Sequence, residues 1–154
     1  MNRKDKTTER TEKYSTLTGE VFLPEEGETN KEFPLKNLTK KIISCAIEVH
    51  SSLGPGLFEN LYEEAMAYEL TSQGIVYQRQ KILKMQYKGN FIGDYKLDFL
   101  IENKVIVELK CVESIKNIHI AQILTYMTAE KIQIGLLINF NVEQLKEGIR
   151  RIIR

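Results

Sequence analysis

Apolar residues follow a helical period in the first half of the chain and a strand period in much of the second half. They recur every three to four positions over residues 38–52 and 58–73, which predicts two helices separated by a Leu53-Gly54-Pro55-Gly56 break. Alternation then predicts strands at 82–87, 95–101 and 105–111, with 75–80 leading in. A helix at 117–129, a strand at 133–140, a short helix at 142–147 and a possible edge strand at Ile149–Ile153 complete the pattern. This order predicts an α/β fold in which helices flank a mixed sheet.

The chain divides near residue 36. Residues 1–36 have few apolar positions and an acidic run at 25–28, so we expect a polar N-terminal tail that is disordered or loosely docked. Within it, Val21-Phe22-Leu23 is a short apolar segment that could pair or pack. Residues 37–154 are expected to form one domain, since 42% of the chain is hydrophobic and 28% is charged.

Composition narrows the classes of function. No run approaches the roughly 20 apolar residues of a membrane span, and the polar N-terminus does not resemble a signal peptide, so a cytoplasmic location is expected. Cys45 and Cys111 fit no metal-ligand spacing and are expected to be buried thiols. The net charge is +1, with −1 over residues 1–36 and +2 over 37–154. Contact with nucleic acid would therefore need a local patch and a bound cation.

The segment from Asp94 to Lys110 carries the candidate chemistry. Two apolar strands each hold one carboxylate, Asp98 and Glu108, and Lys110 follows two residues later. Two carboxylates suit a hard divalent cation, and a nearby lysine suits a phosphate, as a metal-dependent phosphodiesterase requires. The alternative is a surface hairpin whose charged face is merely solvated.

The predicted register brings the two carboxylates together. If residues 102–104 form the loop, Ile101 pairs with Val105, and Asp98 then lies opposite Glu108 on the same face. Lys110 projects from that face as well. The opposite face would form the core and would carry Phe99, Ile101, Val105, Val107 and Leu109. A slip of one residue would destroy this arrangement.

Several separated motifs resemble one known family. Residues 56–62 read Gly-Leu-Phe-Glu-Asn-Leu-Tyr, the pattern G-x-x-E-x-x-Y, and Asp98-Phe-Leu, Val107-Glu-Leu-Lys110 and a helix from His119 to Tyr126 follow in order. Over residues 38–154 the chain resembles the GxxExxY proteins, which are assigned to the PD-(D/E)XK nuclease superfamily. Leu97 stands where the superfamily pattern has a proline.

The resemblance implies a restriction-endonuclease-like α-β-β-β-α-β core and roles for particular residues. It implies that Asp98 and Glu108 bind Mg²⁺ or Mn²⁺, with the Leu109 backbone carbonyl as an additional ligand. Glu59 would face this pair and bind the metal directly or through water, and Lys110 would act on the attacking water or the phosphate. Gln122 and Tyr126, one helical turn apart, would border the site.

Ordinary structural roles remain open for the helix residues. Glu59 could only complement the positive end of its helix, and Gln122 and Tyr126 could belong to a plain amphipathic helix. Tyr62 is expected to pack in the core with a polar tip, and His50 is expected to be structural. His119 lies on the side of Gln122 and is a weaker candidate.

The most specific hypothesis is a metal-dependent nuclease that hydrolyses phosphodiester bonds of DNA or RNA. The alternative is a catalytically weak module that binds nucleic acid or protein on the same fold. A hydrolase acting on another phosphate ester is a third, more distant possibility.

Overall fold

The computed structural model describes residues 20–22 and 35–154 of the 154-residue chain. The helices are α1 (Lys36–Leu53), α2 (Glu59–Ser72), α3 (Asn117–Glu130) and α4 (Leu145–Gly148). The strands are β1 (Glu20–Phe22), β2 (Tyr77–Tyr87), β3 (Asn90–Ile101), β4 (Val105–Lys110), β5 (Ile134–Asn139) and β6 (Ile149–Ile153). Most of the predicted tail, including Leu23, lies outside these residues. No helix of the described ranges is long and apolar enough to cross a membrane.

The strands form one sheet in the order β1-β6-β5-β4-β3-β2. Only β4 and β5 are parallel, and α3 connects them as a crossover, so the predicted mixed sheet is confirmed. The prediction that β6 is an edge strand is wrong, because β1 pairs along it through Val21 and Ile152. A segment from the predicted tail therefore extends the sheet.

Helices cover both faces of the sheet and create two separate apolar cores. On one face, α1 and α2 pack over β-strand residues that include Phe99, Val107 and Leu136. On the other face, α3 packs over a set that includes Leu100 and Ile106. The result is a three-layer α/β/α arrangement, which requires the central strands to be apolar on both faces.

The largest boundary difference concerns β2 and β3. Sequence alternation predicted shorter strands, whereas the structure forms one long hairpin closed by Lys88 and Gly89, whose φ values are 50° and 79°. Positive φ at both central residues is typical of a type I′ turn, which matches the twist of the paired strands. Other predicted ends are displaced by one to three residues, mostly because terminal helix and strand residues lack regular pairing.

The faces of the hairpin exchange sides at Asp98. Leu97 and Leu100 are an odd number of residues apart, yet both pack in the α3 core, while Phe99 packs in the α2 core. Directly across from Asp98, Gln80 has a φ of 53° and makes no regular pair. Gln80, in its left-handed conformation, interrupts the period-2 alternation. As a result, odd-numbered residues of β3 face α3 before Asp98, as Leu97 does, and face α2 after it, as Phe99 does.

Candidate active site

Strand pairing between β3 and β4 stops where the two predicted carboxylates meet. The register Ile101–Val105 is observed as predicted, and regular pairing continues only as far as Phe99 and Val107. At the next position, the Asp98 N–H donates to Glu108 Oε1 at 3.2 Å, and the Leu109 N–H donates to Asp98 Oδ2 at 2.8 Å. Each carboxylate thus takes the place of a backbone acceptor, and the two strands separate around them.

Both carboxylates are removed from solvent. Asp98 is 9% exposed and Glu108 is 4% exposed, so the alternative of a solvated charged face is wrong for these two residues. Neither forms a salt bridge with any residue that the structure describes. Two buried acids without an ion-pair partner are energetically costly when both are ionised.

The cost of ionising Asp98 and Glu108 is reflected in their raised pKa values. Burial raises the pKa of Glu108, and the nearby Asp98 raises it further, while the Asp98 N–H and Lys110 offset part of the effect. Burial also raises the pKa of Asp98; the Leu109 N–H lowers it and Glu63 raises it again. A cation placed between the two groups would reverse both shifts.

Without divalent metal, we expect stability to fall as pH rises above the unfolded glutamate value of 4.5 and through the raised pKa of Glu108. In that window the folded state holds more protons than the unfolded state, and each proton contributes a slope of up to about 1.4 kcal/mol per pH unit. Thermal unfolding in chelator, followed across this range, measures the slope. Glu108→Gln should flatten it, whereas Glu113→Gln, at an exposed loop residue, should not. Equal slopes in all three proteins would contradict the assignment of this pH dependence to Glu108.

Lys110 lies at the end of β4 and is held by α3. Its Nζ donates to Gln122 Oε1 at 2.8 Å, and the Gln122 amide donates in turn to the Tyr95 hydroxyl. The structure therefore brings Lys110 and Gln122 together, and it adds Tyr95, which sequence reasoning missed. In the sequence, Tyr95 was one residue of an alternating strand, and that position alone does not indicate a role in the site.

Tyr126 lies one turn further along α3. Its ring packs against Tyr95 with centroids 4.6 Å apart, and its hydroxyl is buried without a hydrogen-bond partner among the described residues. Burial raises the pKa of Tyr126, the neighbouring Tyr95 hydroxyl and Glu108 raise it further, and Gln122 lowers it. Since buried hydroxyls are normally paired, this oxygen has the capacity to bind a water or a ligand.

Glu59 begins α2 and reaches the site from the opposite helical layer. Burial raises its pKa, Asp98 raises it further, and Lys110 and the Cys111 backbone lower it. These influences show that its carboxyl group lies within electrostatic range of Asp98 and Lys110. Glu59 is an exposed residue in the favourable first turn of its helix, and its part in a metal site stays a prediction.

A second acidic residue of α2 was not assigned to the site from sequence. Glu63 accepts hydrogen bonds from Arg79 at 2.6 Å and from Gln80 at 3.0 Å, and Gln80 also approaches Asp98 at 3.4 Å. The left-handed backbone at Gln80 directs its amide between the two acids, which fixes their relative position. The spacing of Glu59 and Glu63, four residues apart on one helical face, was the available signal for Glu63. No pattern in the sequence indicated Gln80.

The glycine-rich loop and Tyr62 support the start of α2. Tyr62 is fully buried, stacks on Phe140 with centroids 4.5 Å apart, and bonds through its hydroxyl to the Gly54 carbonyl and the Leu57 N–H. Gly54 and Gly56 have φ values of 68° and 99°, which glycine adopts at little cost. The expectation that Tyr62 packs with a polar tip is confirmed, and its effect is to position the loop that precedes Glu59.

Both histidines bond to the backbone. His50 Nε2 lies 2.8 Å from the Val142 carbonyl in a buried position, which confirms its structural role. His119 accepts the Lys116 N–H at 3.0 Å and so closes the first turn of α3. Cys45 is buried and Cys111 is partly buried, and both are free thiols.

The layers, the strand order and the two inserted carboxylates define a restriction-endonuclease-like α/β protein. A family model described as the PD-(D/E)XK nuclease superfamily matches residues 36–152, and the chain belongs to that superfamily. Its members are generally nucleases. Comparisons with curated proteins and with solved structures give no significant match.

Proposed function

We propose that this protein is a nuclease that hydrolyses phosphodiester bonds of DNA or RNA with Mg²⁺ or Mn²⁺. One observation carries the proposal: Asp98 and Glu108 are buried together without a salt bridge among the described residues, beside Lys110. A purely structural pair of acids would normally be matched by a buried cationic side chain.

The donor set fits a hard divalent cation. The described residues contain no group of three His, Cys, Asp or Glu side chains arranged to hold a metal ion. Two carboxylates, with water and substrate oxygens completing the coordination, are the usual protein contribution to an Mg²⁺ site. Leu109 supplies a further candidate, since its N–H points to Asp98 and the carbonyl of an extended residue projects to the same side.

The remaining site residues would act on water and phosphate. A bound metal ion supplies a more acidic water and neutralises charge that develops on the phosphate. Lys110, directed by Gln122, would orient that water or contact a phosphate oxygen. Glu59 would hold an ordered water on the α2 side, consistent with its raised pKa near Asp98. The Tyr126 hydroxyl would bind a water or substrate oxygen from the α3 side, consistent with its unpaired state.

Within the superfamily, we propose that the chain belongs to the GxxExxY group. Gly56, Glu59 and Tyr62 occur at the spacing of that motif. The spacing is supported by one set of contacts: the Tyr62 hydroxyl bonds to Gly54 and Leu57, and so holds the loop that leads into the first turn of α2, where Glu59 lies. This linkage gives a physical reason for the spacing.

Purified protein should cleave at least one of four labelled substrates: single- or double-stranded DNA or RNA. We expect cleavage with Mn²⁺ or Mg²⁺, none with chelator, and none in Glu108→Gln, which keeps the size of the side chain while removing its charge. Glu113→Gln, at an exposed loop position, serves as the matched control and should cleave like the wild type. Binding without metal-dependent cleavage would instead favour a catalytically weak binding module.

A further inference from the structure

The hairpin beyond Asp98 forms a two-stranded ribbon next to the candidate site. Over residues 81–97, β2 and β3 pair only with each other, because regular pairing of β3 with β4 begins at Phe99. An isolated two-stranded hairpin is only marginally stable in water. This ribbon is held by α3, through packing of Leu83, Met85 and Leu97 and an ion pair between Lys81 and Glu130.

The other face of the ribbon is uncovered. Cross-strand partners point to the same face. Ile82 pairs with Lys96 and Lys84 with Asp94, and after a register shift between Met85 and Gln86, Gln86 pairs with Phe91. We call these six residues the outer face. All are exposed, including 53% of Ile82 and 60% of Phe91. Exposed apolar side chains beside charged ones on one strand face make this a candidate contact surface.

Charge distinguishes the kinds of partner. The outer face carries Lys84, Lys96 and Asp94, a charge of +1, and Lys88 lies in the adjoining turn. Lys81 is on the opposite face, paired with Glu130. Lys84 and Lys96 form no salt bridge with any residue in the described ranges. A basic strip interleaved with an exposed aromatic ring suits a nucleic-acid strand, with phosphates on the lysines and a base on the ring.

Residues reach Asp98 and Glu108 from both sides of the sheet, with Lys110 and Gln122 on the α3 side. Because one face of the ribbon packs on α3, the outer face is directed to the α2 side, from which Glu59 and Glu63 approach Asp98. Lys96 is two residues from Asp98, or about 7 Å along the strand, and the Lys84–Asp94 pair is about 14 Å away. A polymer that approaches Asp98 from the α2 side would extend over these lysines.

We propose that the outer face of the ribbon is the surface that binds the nucleic-acid substrate on one side of the scissile phosphate. Lys84 and Lys96 contact the phosphate backbone, and Phe91 stacks on an unpaired base. The inference rests on the proposed nuclease function. The lysines of the outer face would supply the electrostatic attraction to phosphates that a net charge of +1 does not provide.

The test measures binding of wild-type protein to labelled DNA and RNA oligonucleotides in chelator, so that cleavage does not contribute. In the double variant Lys84→Ala/Lys96→Ala, the slope of log affinity against log salt should decrease by about 1.4 for single strands and about 1.8 for duplexes. The matched control is Lys40→Ala/Lys41→Ala, which removes two exposed lysines from α1. Its slope should equal that of the wild type.

Phe91→Ala tests the stacking contact separately. Binding to single strands should weaken on the order of tenfold, with little change for duplexes. Equal salt slopes in the ribbon and α1 variants, or no wild-type binding to any oligonucleotide, would overturn the proposal. So would a wild-type dimer that Phe91→Ala dissociates in sedimentation without affecting oligonucleotide binding, because a second copy would then occupy the face.

These outcomes are separable from those of the nuclease proposal. If the ribbon variants lose salt-dependent binding but the wild type never cleaves, the surface is supported and the nuclease proposal fails. If the wild type cleaves with Mn²⁺ and the ribbon variants bind normally, the nuclease proposal is supported and the surface proposal fails.

Discussion

Lys110→Ala is expected to lower metal-dependent cleavage by about 10²- to 10³-fold while leaving metal binding and folding nearly unchanged. A protonated lysine has no lone pair for a metal, so its effect should fall on the water or the phosphate, where loss of one positioned electrostatic group typically has this magnitude. The Gln122 amide would still bond to Tyr95 after the substitution, which limits the loss of stability. Turnover, Mn²⁺ affinity and melting temperature, measured on the same preparation, check the prediction.

Lys104→Ala is the matched control for Lys110→Ala. Lys104 is an exposed lysine in the loop before β4, at the opposite end of the same strand. It should cleave like the wild type. If Lys110→Ala retained wild-type turnover, Lys110 would be a bystander and the Glu-x-Lys spacing would reflect only an alternating strand.

Mn²⁺ or Mg²⁺ is expected to stabilise the wild type and to have no effect on Asp98→Asn/Glu108→Gln. At a metal concentration about 100 times the dissociation constant, binding stabilises the folded state by about 2.7 kcal/mol, or roughly 5–10 °C in melting temperature for a domain of this size. The double variant should also lose cleavage. Because the pKa values of both carboxyls are raised, protons compete with the metal, and the shift should diminish as pH falls.

Thermal unfolding with and without metal, at several pH values, measures this effect, and calorimetry gives the affinity directly. Glu113→Gln, at the same exposed loop position used above, should respond to metal like the wild type. An equal Mn²⁺ response in the wild type and the double variant would show that the ion binds elsewhere.

The sequence was sufficient for the register of the central hairpin. A three-residue loop and the requirement to bury one apolar face leave few alternatives, and Ile101 indeed pairs with Val105. The order of elements and the two helical layers follow from similarly strong periodic signals. These are properties that local spacing determines.

The details of the site depend on contacts that spacing does not encode. Insertion of the Asp98 and Glu108 carboxyls between the strands requires the strands to separate, and Gln80 enters the site only because its backbone is left-handed. The same conformation reverses the faces of the ribbon, which simple alternation could not predict. Pairing of β1 with β6 joins Val21 to Ile152 across most of the chain, and no local pattern indicates such a partner.

The replacement of backbone acceptors by Asp98 and Glu108 has a consequence for how activity could be lost in evolution. Removing either carboxyl would leave a buried N–H, of Leu109 or of Asp98 itself, without its acceptor, at a cost of about 1–3 kcal/mol. Loss of Lys110 carries no comparable penalty. A descendant under no selection for cleavage would therefore discard the lysine first and keep an acceptor at positions 98 and 108, either the acid or its amide, so an acid at these positions without the lysine is poor evidence that a related protein is active.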